Sequence, residues 1–170
     1  SLFVLILNDN QLSVPLPASW ASLKGLIIFM ASNNRLTGSL PASWSQIPTL
    51  TMLDVRCNQL VGPVPLEYIN LPSQLGLSYN RLTGTLPEQW GQAGKARTAR
   101  LRSLELVGNQ LTGSVPASWA DLNLDSLALY GNPGLKGCLP VAWAVGSMQL
   151  QSNVGTCAAI ATNTEGMLSF

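Results

Sequence analysis

The chain has 170 residues, 46% of them hydrophobic and only 10% charged, with a formal net charge of +1 and no histidine. So apolar a chain must bury most of its leucines, which sets it apart from disordered sequences, and its small net charge offers no general field to nucleic acid or an anionic membrane surface. Apolar runs such as residues 2–7 (LFVLIL) are far shorter than the ~20 residues a membrane-spanning helix needs, so no membrane insertion is expected in this segment.

The chain opens at Ser1 directly in a strand-like run, without a basic segment and a longer apolar stretch behind it. No signal peptide is read there, and the segment is expected to be a piece of something longer. From that first run onward the apolar residues follow a register. They lie eight, five and three positions before an asparagine: Leu2, Leu5 and Leu7 before Asn10, then Leu26, Phe29 and Ala31 before Asn34. Leu50, Leu53 and Val55 precede Asn58, and Leu101, Leu104 and Leu106 precede Asn109. Leu124, Leu127 and Leu129 precede Asn132, while the set before Asn80 is degenerate, with Pro72, Leu75 and Leu77. The asparagines are 24, 24, 22, 29 and 23 residues apart. A period of 20–29 residues with L-x-x-L-x-L-x-x-N-x-L marks leucine-rich repeats.

Each period reads as one coil. Alternation within x-L-x-L-x gives a short strand, leucines inward. The asparagine amide both donates and accepts, so it suits a turn that leaves backbone groups unpaired inside the core. Asn10, Asn34, Asn58, Asn80, Asn109 and Asn132 are therefore expected to form a buried ladder. Next come Gly38, Gly62, Gly84, Gly113 and Gly137 at a bend a side chain would obstruct, with Val14 replacing glycine in the first coil. Pro17, Pro41, Pro65, Pro87, Pro116 and Pro140 start short helical turns. Three residues on, Trp20, Trp44, Tyr68, Trp90, Trp119 and Trp143 are expected to face inward from the convex side, as core rather than as a sugar-stacking column. No coil buries its apolar face without a neighbour. The predicted architecture is an α/β solenoid, a right-handed superhelix of six coils over 1–143 (about 1–23, 24–47, 48–71, 72–100, 101–122 and 123–143). It has a parallel concave β-sheet and short 3-10 or helical turns on the convex side, and residues 144–170 form a C-terminal cap.

The segment N-x-L-T-G-x-[LV]-P, nearly intact at 34–41, 80–87 and 109–116, resembles the plant-type leucine-rich-repeat family, and the resemblance covers about residues 2–143. It implies an extracellular solenoid that serves as scaffold and recognition surface, as in receptor-kinase ectodomains, inhibitors of wall-degrading enzymes and matrix proteins. It implies no catalytic residues. The PASW variant is similar to repeats in surface proteins of green algae and some protists.

Outward strand positions fall six, four and two residues before each asparagine. Val4, Ile6, Ile28, Met30 and Met52 are expected to form an apolar patch at the N-terminal end of the concave face, a mark of a contact site. Asp54, Arg56 and Glu105 are the charges on that face, placed either to orient a polar ligand or to pair with one another. Tyr79 and Tyr130 near the strand ends are candidates for stacking on a peptide or sugar. The 29-residue coil carries an insertion, GQAGKARTAR at 91–100, expected to bulge as a cationic loop. Lys95, Arg97 and Arg100, with Arg102 beyond, would either hold an anionic partner such as acidic polysaccharide or stand solvated.

Of the three cysteines, Cys138 and Cys157 are expected to form a disulfide that ties the cap to the last coil, worth about 3 kcal/mol in the chain-entropy model, the alternative being two buried thiols. Such a bond implies an oxidising compartment. Cys57 has no evident partner within the chain; it is either a free thiol or the mate of a cysteine elsewhere. Without histidine, a metal-binding cluster, an activated nucleophile or a carboxylate pair, no enzyme, metal or cofactor is read from the chain. The expected function is extracellular or cell-surface recognition or adhesion, with a protein, peptide or polysaccharide partner held on the concave face. The alternative is a building block of a matrix, surface layer or filament that self-associates through repeat ends.

Overall fold

A computed structural model describes residues 2–95, 100–140, 143, 149–151 and 155–156, with the backbone alone for Lys95 and for the last two segments. A seven-stranded parallel sheet runs through Val4–Ile6, Ile28–Met30, Met52–Asp54, Gln74–Gly76, Ser103–Glu105, Ser126–Ala128 and Gln149–Gln151, each strand pairing with its neighbours in chain order. The register is uniform: Leu5, Phe29, Leu53, Leu75, Leu104 and Leu127 stand side by side. These central side chains point into the core, and from Phe29 to Leu127 they are buried. A leucine every other residue thus becomes a continuous apolar seam, because the same position recurs in each coil. The seventh strand lies within the stretch expected to cap the array. Gln149–Gln151 continues the sheet beyond the sixth coil, and Gly155–Thr156 pairs with Cys138–Leu139.

On the opposite side each of the first five coils turns through a short helix. Four are 3-10 helices, Ala18–Ser22, Ala42–Gln46, Leu66–Asn70 and Ala117–Asp121, each capped by the preceding proline. The proline carbonyl takes the first helical bond, from Trp20, Trp44, Tyr68 or Trp119. The aromatic column is core, as expected: Trp44, Tyr68, Trp90 and Trp119 are fully buried, Trp143 is buried, and Trp20 is half-buried at the first coil. The four fully buried rings also tie their coils to the one before, while Trp143 Nε1 is buried without a partner among the described residues. Trp44 Nε1 donates to Pro17 O, Tyr68 Oη to Pro41 O, Trp90 Nε1 to Leu66 O and Trp119 Nε1 to Pro87 O, at 2.7–3.0 Å. Burial drives the Tyr68 phenol far above its ordinary pKa, so it stays a donor. Trp20 and Trp44 stack at 6.0 Å, and Trp90 and Trp119 at 5.3 Å.

The asparagine ladder holds for five of the six positions. Asn34, Asn58, Asn80, Asn109 and Asn132 are buried. Each accepts from the leucine N–H two residues after the preceding ladder asparagine: Asn34 from Leu12, Asn58 from Leu36, Asn80 from Leu60, Asn109 from Leu82 and Asn132 from Leu111. Their amide nitrogens donate back to strand carbonyls of both coils, as Asn58 does to Ala31 O and Val55 O. Asn10 departs from the expectation. It is exposed and bonds only its own turn, at Leu7 O and Asn8 O, since no coil precedes it in the described residues to supply a partner.

Two features went unread in the sequence. The residue just before each asparagine takes a left-handed backbone: Asp9, Asn33, Cys57, Tyr79, Gly108 and Gly131 all have φ between 54° and 72°. Short parallel pairings also form beside the bend glycines, Val61–Gly62 with Arg81–Leu82 and Thr112–Ser114 with Gly134–Lys136. The bend itself is as expected, with φ of 75° at Gly38 and 84° at Gly137.

Candidate functional site

The register sorts the outward side chains of the concave sheet into rows. Val4, Ile28 and Met52 stand in one row, and Ile6, Met30 and Asp54 in the next. Val4 and Ile6 are exposed and Ile28, Met30 and Met52 partly so. The five apolar residues expected to form a patch are thus neighbours, open to solvent.

The charged residues adjoin that patch and pair with one another. Arg56 grips Asp54 in two-pronged fashion, Nε to Oδ1 at 2.9 Å and Nη2 to Oδ2 at 2.8 Å. Its Nη1 reaches Glu105 Oε2 at 3.0 Å. Glu105 lies two strands away, with Gly76 between them in the same row as Asp54. A β-carbon at Gly76 would stand 3.1 Å from Asp54 Oδ1 and 3.4 Å from the Arg56 methylenes. The strand glycine is what lets the arginine cross. A glycine inside a strand pattern marks such close approach, the signal that could have flagged this position. Asp54 is 2% exposed, so it is an anchor beneath the surface and not a surface charge, as its outward parity suggested. The Asp54 hydrogen bonds, followed by the nearby charges of both carboxylates, raise the Arg56 pKa further despite its partial burial.

A second crossing lies alongside. Tyr79 lays its ring over Gly108, and its hydroxyl comes within 3.5 Å of the Tyr130 hydroxyl. That contact, ahead of the charge interaction with the same phenol, raises the Tyr79 pKa above the usual phenol value. Between the two crossings is a depression of about 310 Å³, whose walls include Arg56, Tyr79, Glu105, Ser126 and Tyr130. Four of the predicted binding residues therefore meet around one hollow, separate in composition from the Val4–Met52 patch.

The cationic segment lies only partly within the described residues. Gln89–Lys95 is an α-helix, where a bulging loop was expected. Its glycines explain the difference: a β-carbon at Gly91 would lie 2.3 Å from the Ser118 carbonyl oxygen, and one at Gly94 2.7 Å from that of Asp121. Small residues let this helix lie flat on its neighbour. The Lys95 side chain and Arg97 lie outside the described residues. Arg100 Nη1 donates to Pro48 O and Arg102 Nη1 to Asn123 O, both at 2.9 Å, so these two guanidinium groups brace turns of different coils. Cys57 is an exposed free thiol and Cys138 is not free; Cys157 lies outside the described residues. Among the described residues no cluster of three or more potential ligands stands ready for a metal ion, and no helix is long and apolar enough to cross a membrane.

Comparisons with known proteins agree with this architecture. The leucine-rich-repeat family model matches residues 100–122. No curated protein matches the chain. Among solved structures, the plant peptide hormone receptor RGFR1 in complex with RGF2 superposes with a TM-score of 0.77 at 25% identity, over 89% of this chain and 25% of that one. The BIR3–SERK2 complex from Arabidopsis thaliana aligns at 30% identity and a TM-score of 0.67, over 91% of this chain and 73% of that one. The leucine-rich-repeat ectodomain of the Arabidopsis thaliana receptor kinase SOBIR1 gives 0.68 at 26% identity, over 80% and 72%. The chain spans about a quarter of the length of the hormone receptor it matches.

Proposed function

Because the chain belongs to the leucine-rich-repeat family, we propose that it is a recognition module that holds an extended segment of a peptide or protein along its concave sheet. The observation that carries this reading is the pairing of an exposed apolar patch with a polar hollow on one continuous face. Val4, Ile6, Ile28, Met30 and Met52 supply area to bury, and the Arg56–Glu105 and Tyr79–Tyr130 crossings supply fixed polar groups that set orientation. Rigid elements presenting few polar groups among apolar ones suit binding. The likeness to a peptide hormone receptor and to receptor ectodomains supports a protein or peptide ligand, and with it an extracellular or cell-surface location. A Cys138–Cys157 disulfide belongs to the same reading, since Cys138 is not a free thiol.

The test is selection of binders from a displayed random-peptide library, followed by calorimetry on the wild type, Met30→Asp and Tyr130→Ala. Binding that falls about tenfold or more in either variant, with the fold intact, supports the proposal, since burying a charge or emptying an aromatic contact costs more than 1.4 kcal/mol. Peptides indifferent to both changes would remove it.

A further inference from the structure

We infer that the hollow between Glu105 and the two tyrosines receives a basic side chain, an arginine or lysine, of the bound segment. The inference rests on the concave-face reading above and names the chemistry of one part of it. One guanidinium there faces two carboxylates, so the Asp54–Arg56–Glu105 group carries one formal negative charge. Asp54, buried and held through both oxygens, neutralises Arg56 from below. The excess charge therefore sits on Glu105, whose side chain is 40% exposed and bonds Arg56 through Oε2 alone. Among the described residues its other carboxylate oxygen has no donor. Arg56 spends three of its five N–H groups on these two carboxylates, and an incoming carboxylate would meet the net negative charge of the group.

The tyrosines complete the match. Tyr79 and Tyr130 are both largely exposed, and their rings border the same hollow as Glu105. Aromatic faces attract cations, arginine above all, and a carboxylate beside them adds a charge-assisted hydrogen bond. At about 310 Å³ the hollow lies at the lower end of ligand-pocket volumes, about 300–1,000 Å³, which suits one side chain rather than a larger ligand.

The test uses the whole chain and N-acetyl-arginine methylamide as the probe, with N-acetyl-glutamate methylamide and methyl glucoside beside it, read by the ring resonances of Tyr79 and Tyr130. The expected result is a saturable shift with the arginine compound only, weakened by added salt and about tenfold weaker in Glu105→Gln. Glutamine keeps an acceptor for Arg56, so this variant retains the crossing. An equal or stronger response to the glutamate or sugar compound, no response to the arginine compound, or an arginine response unchanged in Glu105→Gln would each overturn the inference. Library peptides separate the two proposals. Selected peptides that bind the concave face without basic residues, indifferent to Glu105→Gln, would sink this inference and leave the broader reading standing. Arginine binding with no peptide selected would do the reverse.

Discussion

Tyr79 rests its ring against Gly108, so closely that a β-carbon on the glycine would stand 2.8 Å from Tyr79 Cδ1. Both residues occupy the same left-handed position in successive coils, with φ of 56° and 63°. The tyrosine tolerates the strain of that backbone, and the glycine clears the path to Tyr130. Gly108→Ala is expected to cost about 1–2 kcal/mol from backbone strain and to push Tyr79 aside. Chemical denaturation reads the first effect. Loss of peptide binding in protein that is still folded reads the second, and an alanine variant that binds and unfolds like the wild type would show that the contact carries nothing.

Asn58 and Asn10 share a motif position but not an environment. Asn58 is buried and bonds four backbone groups, Leu36 N, Ala31 O, Val55 O and Arg56 O. Asn58→Ala should lower stability by about 2–3 kcal/mol, since it strands buried backbone groups. Asn10→Ala, at an exposed turn, should stay within about 0.5 kcal/mol of the wild type. Urea melts of the two variants measured side by side check the difference.

Cys57 sits at φ 54° with its side chain exposed. Its strain is relieved by a residue that accepts left-handed backbone, as Asn33 does one coil earlier. Cys57→Asn is predicted to raise stability by about 0.5–1 kcal/mol. A thermal midpoint that falls would mean the thiol makes a contact worth more than the strain.

The helix Gln89–Lys95 offers a fourth check. In a free loop, Gly91→Ala would be neutral or mildly stabilising through the unfolded chain. Against Ser118 it forces the two helices apart and should cost about 1–3 kcal/mol. Differential scanning calorimetry gives the sign directly.

These cases show why some of the molecule was legible in the sequence and some was not. The ladder, the bends and the buried aromatic column recur at nearly regular spacing, because those positions make equivalent contacts in the inner coils. The left-handed position escaped notice because Asp9, Asn33, Cys57, Tyr79, Gly108 and Gly131 share a tolerance of backbone shape, not a side chain. The pairing of Asp54 with Arg56 was one of the two sequence readings, but the burial of Asp54 was not, because outward parity does not settle burial. Arg56 folds over it, and only the strand order brings Gly76 and Glu105 into reach. The helix at the insertion was hidden by its glycines, which argue against helix in isolation and favour it here by fitting beneath Ser118 and Asp121. The outward residues of the candidate site and their apolar patch could be named by periodicity, while the meeting of Arg56, Glu105, Tyr79 and Tyr130 around one hollow depended on tertiary reach.

Hydroxyl-radical footprinting with a library-selected peptide tests the recognition face most directly. Met30, Met52, Tyr79 and Tyr130 are reactive side chains with solvent access on the concave sheet, and Leu66, exposed on a convex helix, is the internal reference. Bound peptide should slow oxidation at those four and leave Leu66 unchanged. Oxidation unaltered at all four, with protection at Leu66 and the convex turns, would place the binding surface on the other side of the solenoid.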